Sequence, residues 1–422
     1  MSNNFSKEIR VAFDEMMAGF DDELTASKNV NVYKTDQTMM ARTNDVIWSP
    51  APYIMQSFDG MDQTGNFPDA TQLVVPSTIG FEKSSNWKMD ARELRDAMQE
   101  GRLFKSAKQK LASDINIATL NALSQGTLTV KRTAAATGFD DVAQCDTLMN
   151  QTGVVSADRY LGLSSASYNN MANNLQAASR SFGNKKSDGA FEKGYVGEVA
   201  SFDTYKFGYV NRIAAAAGSG ITMSTLDAAA QYYTPAATRV ASTGEFSNVD
   251  NRYQTITVSS TTGVVANDRF TVANVFNVHQ ITKQDQGALK TFRVVSVDSS
   301  TTMTISPPMI TNQVTNAASA QYQNCTVTSK SGTAALVWLN TVAADINPFW
   351  HKDAIRLLPG RYAAPSGAGA DVMTATTDQG LEVVFQRQYD IQTMKEFFRV
   401  DVLFGTANVA PEMSGIILFS QS

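Results

Sequence analysis

Leu94, Met98, Phe104, Leu111, Ile115, Ala118 and Ala122 keep a helical apolar period from about residue 89 to 124. Nothing else in the 422 residues limits the fold so strongly. Asp90 stands where an N-cap belongs and Gly126 where a helix ends. At 1.5 Å per residue the helix would run about 50 Å, more than the width of a small domain. The spacing therefore predicts a strut across the molecule, with Gly101 marking a bend.

The segments before the strut read as pieces that need a partner surface. Phe5, Ile9, Phe13, Met16, Phe20 and Leu24 form one apolar stripe over residues 4–26, opposite Lys7, Glu8, Asp14, Glu15, Asp21 and Asp22. Residues 44–83 then hold two extended apolar runs, Val46–Trp48 and Leu73–Val75, around a middle rich in Gly, Asp, Asn and Pro. Pro50, Pro52, Pro68 and Pro76 each remove a ladder donor, so neither run reads as a central strand. The simplest shape is a long two-stranded excursion, which is marginal in water unless it lies on something.

After the strut, helix is expected over 143–150 and 167–178, and strand–turn–strand over 195–207. The small-residue run RIAAAAGSG (212–220) leads into a stretch of different texture. Gln254–Val258, Arg269–Val275, Thr291–Val297 and Met303–Ile305 alternate at period two with turn residues between them, which predicts a small barrel or sandwich. Residues 332–344 read as helix. In the tail, Phe398, Val400, Val402 and Phe404 share one strand face, Arg399 and Asp401 the other, and 415–419 closes as an apolar strand. The outer thirds thus read as one mixed α/β body interrupted by a β domain.

The chain offers little for chemistry. It has two histidines, His279 and His351, and two cysteines, Cys145 and Cys325, far apart. No HExxH, phosphate-binding loop, dinucleotide glycine motif or nucleophile elbow is present. Ser85-Asn86-Trp87-Lys88 matches SxxK by letters but lacks the companion motifs. The expectation is no catalytic residue, no metal and no cofactor. A net charge of −5 argues against a dedicated nucleic-acid binder, and Lys105, Lys108, Lys110, Lys185 and Lys186 read as solvated faces. Charged residues are only 18%, against about 25% in ordinary globular chains, which suits neutral polar surfaces that meet other subunits. With no membrane span or leader of apolar residues, the expected place of synthesis is a cytosol.

Several stretches, in order, resemble the major capsid (coat) protein of tailed bacteriophages with the Hong Kong 97-like fold. They are NDVIWSP (44–50), LRDAMQEGRLFKSAKQKLASDINIATLNAL (94–123), GEVASFD (197–203), FSNVDNRYQTITVSSTTGVVANDRFTVANV (246–275), ALVWLNTVAADINPFWHKDAIRLL (335–358) and DIQTMKEFFRVDVLFGTANVAPEMSGIIL (390–418). More narrowly, the set is similar to coat proteins of short-tailed Salmonella-phage type, which carry a telokin-like insertion. The resemblance implies an α+β fold with an N-terminal arm at 1–43 and an extended loop at 44–83. It implies a spine helix and peripheral domain at 84–130 completed by 385–422, an axial domain at 131–221 completed by 346–384, and an inserted all-β, barrel-like domain at 222–345.

By the same resemblance the function is a self-assembling icosahedral shell of hexamers and pentamers around a genome, built in the host bacterial cytoplasm. The implied partners are copies of itself, a scaffolding protein, a portal protein and packaged DNA on the inner face, with no membrane. The expected subunit-interface residues are Phe5, Ile9, Phe13 and Phe20 on the arm, and Trp48, Tyr53, Phe58 and Phe67 on the extended loop. Glu245, Asp250 and Arg252 are expected near a capsomer boundary. The loop 239–252 carries Glu245 and Asp250 but is otherwise neutral, so an ionic contact, a hydrogen-bonded contact and a scaffold-only role stay open there. Two rival readings remain: another virion structural protein (tail-tube or decoration), and a carbohydrate-active enzyme with a β accessory domain.

Overall fold

The computed structural model describes residues 24–33, 46–90, 97–179, 196–223, 231–311, 313, 316–328, 332–362 and 371–422, with backbone only at 97–101 and 175–179. The apolar arm stripe at Phe5, Ile9, Phe13 and Phe20 lies outside these residues. The chain forms two compact units.

The first unit comprises the described residues up to Ile47, then Ser77–Ala122 and Ile355–Ala407. Its six-stranded sheet runs in the order Asn31–Val32, Ile355–Pro359, Lys395–Asn408, Glu382–Asp390, Asp371–Thr376, and Phe81–Asp90 pairs on Lys395–Asn408 as well. The alternation expected at 398–404 is present: Phe398, Val400, Val402 and Phe404 are all buried. Their face meets helix α1 (Ala97–Leu123) through aromatic rings. Phe104 of α1 lies 5.2 Å from both Trp87 and Phe385 and 6.4 Å from Phe398. Trp87 stacks on Phe398, its cross-strand partner, at 5.5 Å. Such pairs contribute beyond plain area burial, which is why this nest anchors the helix to the sheet.

One expectation needs correction here. Asp90 is no N-cap: Phe81–Asp90 is a strand that pairs residue for residue with 395–404, from Phe81 opposite Phe404 to Asp90 opposite Lys395. The strut itself stands, ending at Leu123 with the Gly126 N–H turned back to the Leu123 carbonyl. Asp401, on the strand face opposite Phe398, Val400, Val402 and Phe404, is almost fully buried as well. It is held by Arg399 at 2.7 Å, and burial pushes its carboxyl above the usual range.

The second unit comprises Trp48–Pro76, Leu123–Ala354 and Asn408–Ser422. Its body is a six-stranded sheet in the order Leu128–Lys131, Ser414–Leu418, Asn347–His351, Arg159–Ser164, Phe202–Phe207, Glu198–Val199. Helices α2 (Phe139–Thr152) and α3 (Ser165–Ser179) supply the covering residues Val142, Cys145, Met149, Tyr168 and Met171 to its core. The strand Ser414–Leu418 runs parallel to Leu128–Lys131 in this sheet. It therefore does not join Lys395–Asn408, with which the resemblance had grouped it.

The inserted segment is a closed barrel. Its strands follow the order Thr222–Met223, Ala334–Trp338, Arg269–Val278, Asp285–Val297, Thr302–Ser306, Gln254–Thr257, and a bridge from Met223 to Val258 joins the last to the first. Inward alternation buries Ile256, Phe270, Val272, Phe292, Val294, Met303 and Ile305 in a core of their own. Residues 332–344, expected to be helical, instead supply the strand Ala334–Trp338, where Ala334 and Leu336 point inward and Val337 outward. A short helix, α4 (Ala317–Gln321), caps itself through Asn316, whose side chain accepts from the Ala318 N–H at 3.0 Å.

Candidate assembly surfaces

The two extended runs of the loop pair with each other, and its base is fastened to the barrel; residues 81–83, grouped with the loop by the resemblance, belong to the strand Phe81–Asp90 instead. Val46–Pro50 and Val74–Thr78 form a two-stranded sheet, with the Ala51 N–H on the Leu73 carbonyl at 2.8 Å. Further out, one residue is clamped twice. The Thr71 N–H donates to Gln321 Oε1 at 3.1 Å, and the Tyr322 hydroxyl donates to the Thr71 carbonyl at 2.8 Å. Leu73, Ala51 and Ile54 pack with Tyr233, Ile310 and Tyr322 of the barrel beside this clamp. Between loop and α4 lies a groove of about 260 Å³, lined by Met55, Phe58, Phe67 and Ala317 among others.

Beyond the clamp the loop is left in water. Trp48, Tyr53, Met55 and Phe58 are exposed, and Phe67 is 85% exposed. At the tip, the Thr64 N–H and hydroxyl both donate to Asp62 Oδ1, at 3.0 and 2.6 Å. Those bonds hold the Asp62 carboxyl below its usual range. The loop therefore presents large apolar side chains in a defined turn, with Asp59, Asp62 and Asp69 exposed beside them. Exposed apolar side chains of this size make the loop a candidate association surface.

In the first unit, α1 turns Arg102, Lys105, Ser106, Gln109, Lys110 and Ser113 to solvent at helical spacing. Asp114 lies 2.6 Å from Lys110 on this stretch.

The loop 239–252 forms a second ribbon, Thr238–Val240 against Phe246–Asn248, with Val240 opposite Phe246. Gly244, at φ +85°, makes the turn, a backbone region that favours glycine. Glu245 sits exposed on it. Asp250 and Arg252, expected near a capsomer boundary, pair with each other within the chain. Arg252 binds Asp250 at 2.6 Å and donates to the Asn408 carbonyl at 2.6 Å. The exposed members of this ribbon are apolar: Val240 is 60% and Phe246 76% exposed. Sequence reasoning looked for charges here and passed over this pair, although an aromatic placed across a glycine turn from a β-branched residue was a readable signal.

Chemical groups elsewhere are occupied structurally. Both thiols are buried; burial raises Cys145 and pushes Cys325 up to about 12. His279 Nδ1 accepts from the Ile281 and Thr282 N–H groups, and His351 Nδ1 from that of Asp353. Ser85 and Lys88 lie three apart on a strand, so they point to opposite faces and cannot work as a pair. Among the described residues no cluster of His, Cys, Asp or Glu could hold a metal, and no helix is long and apolar enough to cross a membrane.

Two solvent-facing apolar ribbons, a strut helix and a self-contained barrel, with no metal-binding cluster among the described residues, suit a structural subunit. The chain belongs to the P22 coat protein family: the profile described as "P22 coat protein - gene protein 5" matches residues 1–420. It is thus a major capsid protein that forms the icosahedral shell of a virion. Among solved structures, one of Mycobacterium phage Che8 is 10% identical, covers 94% of this chain and 92% of its own, and gives a TM-score of 0.46. The capsid of cyanophage P-SCSP1u is 10% identical, covers 93% and 86%, and gives 0.44. The CUS-3 coat protein I-domain is 40% identical over 29% of this chain and 99% of its own, with a TM-score of 0.22.

Proposed function

We propose that the subunit assembles into hexamers and pentamers through three surfaces, without performing a reaction. These are the arm with Phe5, Ile9, Phe13 and Phe20; the loop with Trp48, Tyr53, Phe58 and Phe67; and the ribbon carrying Val240, Glu245 and Phe246. A scaffolding protein, a portal and packaged DNA are the further partners, and the host bacterial cytoplasm is the place of assembly. The observation that carries this reading is the exposed loop, whose apolar side chains find no cover among the described residues. Purified subunit mixed with scaffolding protein, imaged by electron microscopy, tests it. Closed shells are expected; tubes, or a monomer that persists at high concentration, would overturn the reading.

The arm has its own test. Leu24 and Ala26 are fully buried, and the Ala26 N–H donates to Asn116 Oδ1 at 3.3 Å. A truncation should therefore stop at residue 23, sparing the fold. The shortened subunit should melt as the full chain does and assemble poorly; normal shells from it would remove the arm from the account.

The loop's acids and the α1 cations suit one another between copies. Lys105→Glu, on an exposed helix face, should change stability by no more than about 0.5 kcal/mol. Turbidity traces should show slower assembly, with a weaker dependence on salt than the parent. An unchanged rate and salt dependence would rule out this pairing.

A further inference from the structure

The barrel and the body do not share a core. Every buried residue of the barrel cluster lies within 221–336, and the body cluster contains none of them. What joins the two is polar, and most of it ends on main-chain oxygens of the body. Arg269 donates to the Ser124 carbonyl at 2.5 Å and to that of Gly126. The Thr291 hydroxyl donates to the Thr127 carbonyl at 2.9 Å, Arg252 to that of Asn408, and the Gln280 N–H to that of Thr152 at 3.2 Å.

One body side chain gathers the rest. Glu412 Oε1 accepts from Lys290 Nζ at 2.5 Å and from Asn324 Nδ2 at 3.1 Å, and its Oε2 accepts from Gln280 Nε2 at 2.9 Å. The seam carries surplus positive charge. Arg252, Arg269, Lys290 and Arg293 are set against Asp250 and Glu412. Arg269 and Arg293 stand directly opposite on neighbouring strands, and the Nε atom of each is buried without a partner. Burial and the nearby Arg293 hold Arg269 well below the usual arginine range.

Both chain connections leave the barrel side by side. Arg212–Ile213 pairs with Ala344–Asp345 in a two-stranded neck, backed by Ile346, Ile416 and Leu418. A self-contained unit on a narrow double neck, held elsewhere by a polar, like-charged seam, has the parts of a hinge and a catch.

We propose that the inserted barrel undocks from the body as a rigid unit about this neck, that Glu412 is the latch, and that the extended loop travels with the barrel through the Thr71 clamp. Removing the latch takes the shared acceptor from three donors and leaves the buried Lys290 with the Asn324 carbonyl but without its carboxylate partner, while neither core loses an apolar contact. The orientation of the loop is then set by a contact made at residue 412, in another part of the chain.

Hydrogen exchange on the unassembled full chain tests this independently of the capsid reading. In Glu412→Ala the Gln280 amide, at the seam, should exchange about tenfold faster than in the parent. The core amides of Phe292 and Ile416 should keep their protection, and so should that of Thr71. Glu412→Gln keeps the side chain's shape and serves if the alanine variant does not accumulate; Lys290→Met should reproduce its pattern. Unchanged exchange at Gln280 overturns the latch. Loss of protection throughout the barrel core shows that the seam is part of one cooperative fold and overturns undocking. Loss at Thr71 together with Gln280 overturns the coupling to the loop.

Discussion

Replacing Phe104 by alanine is expected to destabilise the first unit by about 3–5 kcal/mol, the cost of deleting a buried aromatic and leaving a cavity. The ring is fully enclosed, with Trp87 edge-on and Phe385 tilted against it. Trp87, stacked on Phe398, would lose its packing on one side, so its fluorescence reports the event. With two units, unfolding need not be a single transition. The expected result in denaturant is an early transition followed by Trp87, with the buried Trp350 of the second unit responding later. A midpoint equal to that of the parent would show that α1 is not held by this aromatic nest.

Gly415→Val is expected to have a comparable effect on the second unit by the opposite route. A Cβ at Gly415 would lie 2.4 Å from the Leu128 carbonyl oxygen and 2.4 Å from the Phe349 ring. Both neighbours belong to strands flanking Ser414–Leu418 in the body sheet, and backbone inside a sheet cannot move aside cheaply. Overpacking of this kind costs about 1–3 kcal/mol, and more where backbone must shift. Soluble yield at 37 °C should fall sharply and the thermal transition of the surviving protein should drop. An unaltered transition would mean that the two flanking strands open without cost.

The strut could be read because its signal is local and long. Phe104, Leu111, Ile115 and Ala118 repeat at helical spacing and are buried as the period demands. Its start was misplaced because Trp87 and Met89 are also apolar, and their period of two was absorbed into the helical run that follows. Residues 332–344 misled for a related reason: alanine-rich composition favours helix, but Ala334 and Leu336 fill the inside of a barrel wall, and that packing outweighs propensity. The period-two strands of the insert indicated a barrel or a sandwich, but the closing contact itself could not be read, since Met223 and Val258 meet across 35 positions with no local mark. Among the contact residues, the exposed aromatics of the extended loop follow from a run that has too few strands to cover itself. The Asp250–Arg252 pairing does not, because two oppositely charged residues separated by one position are equally compatible with facing a neighbour and with binding each other on a turn.

The bridge between Met223 and Val258 has a bearing on fidelity. Sheets with free margins recruit whatever strand arrives next, and copies of this polypeptide accumulate where thousands of identical margins would otherwise meet. Joining the first strand of the insert to its last leaves no ragged rim to be extended by a stranger. At the barrel, contacts with a neighbour are thereby left to side-chain surfaces, which can tell a correct neighbour from a wrong one.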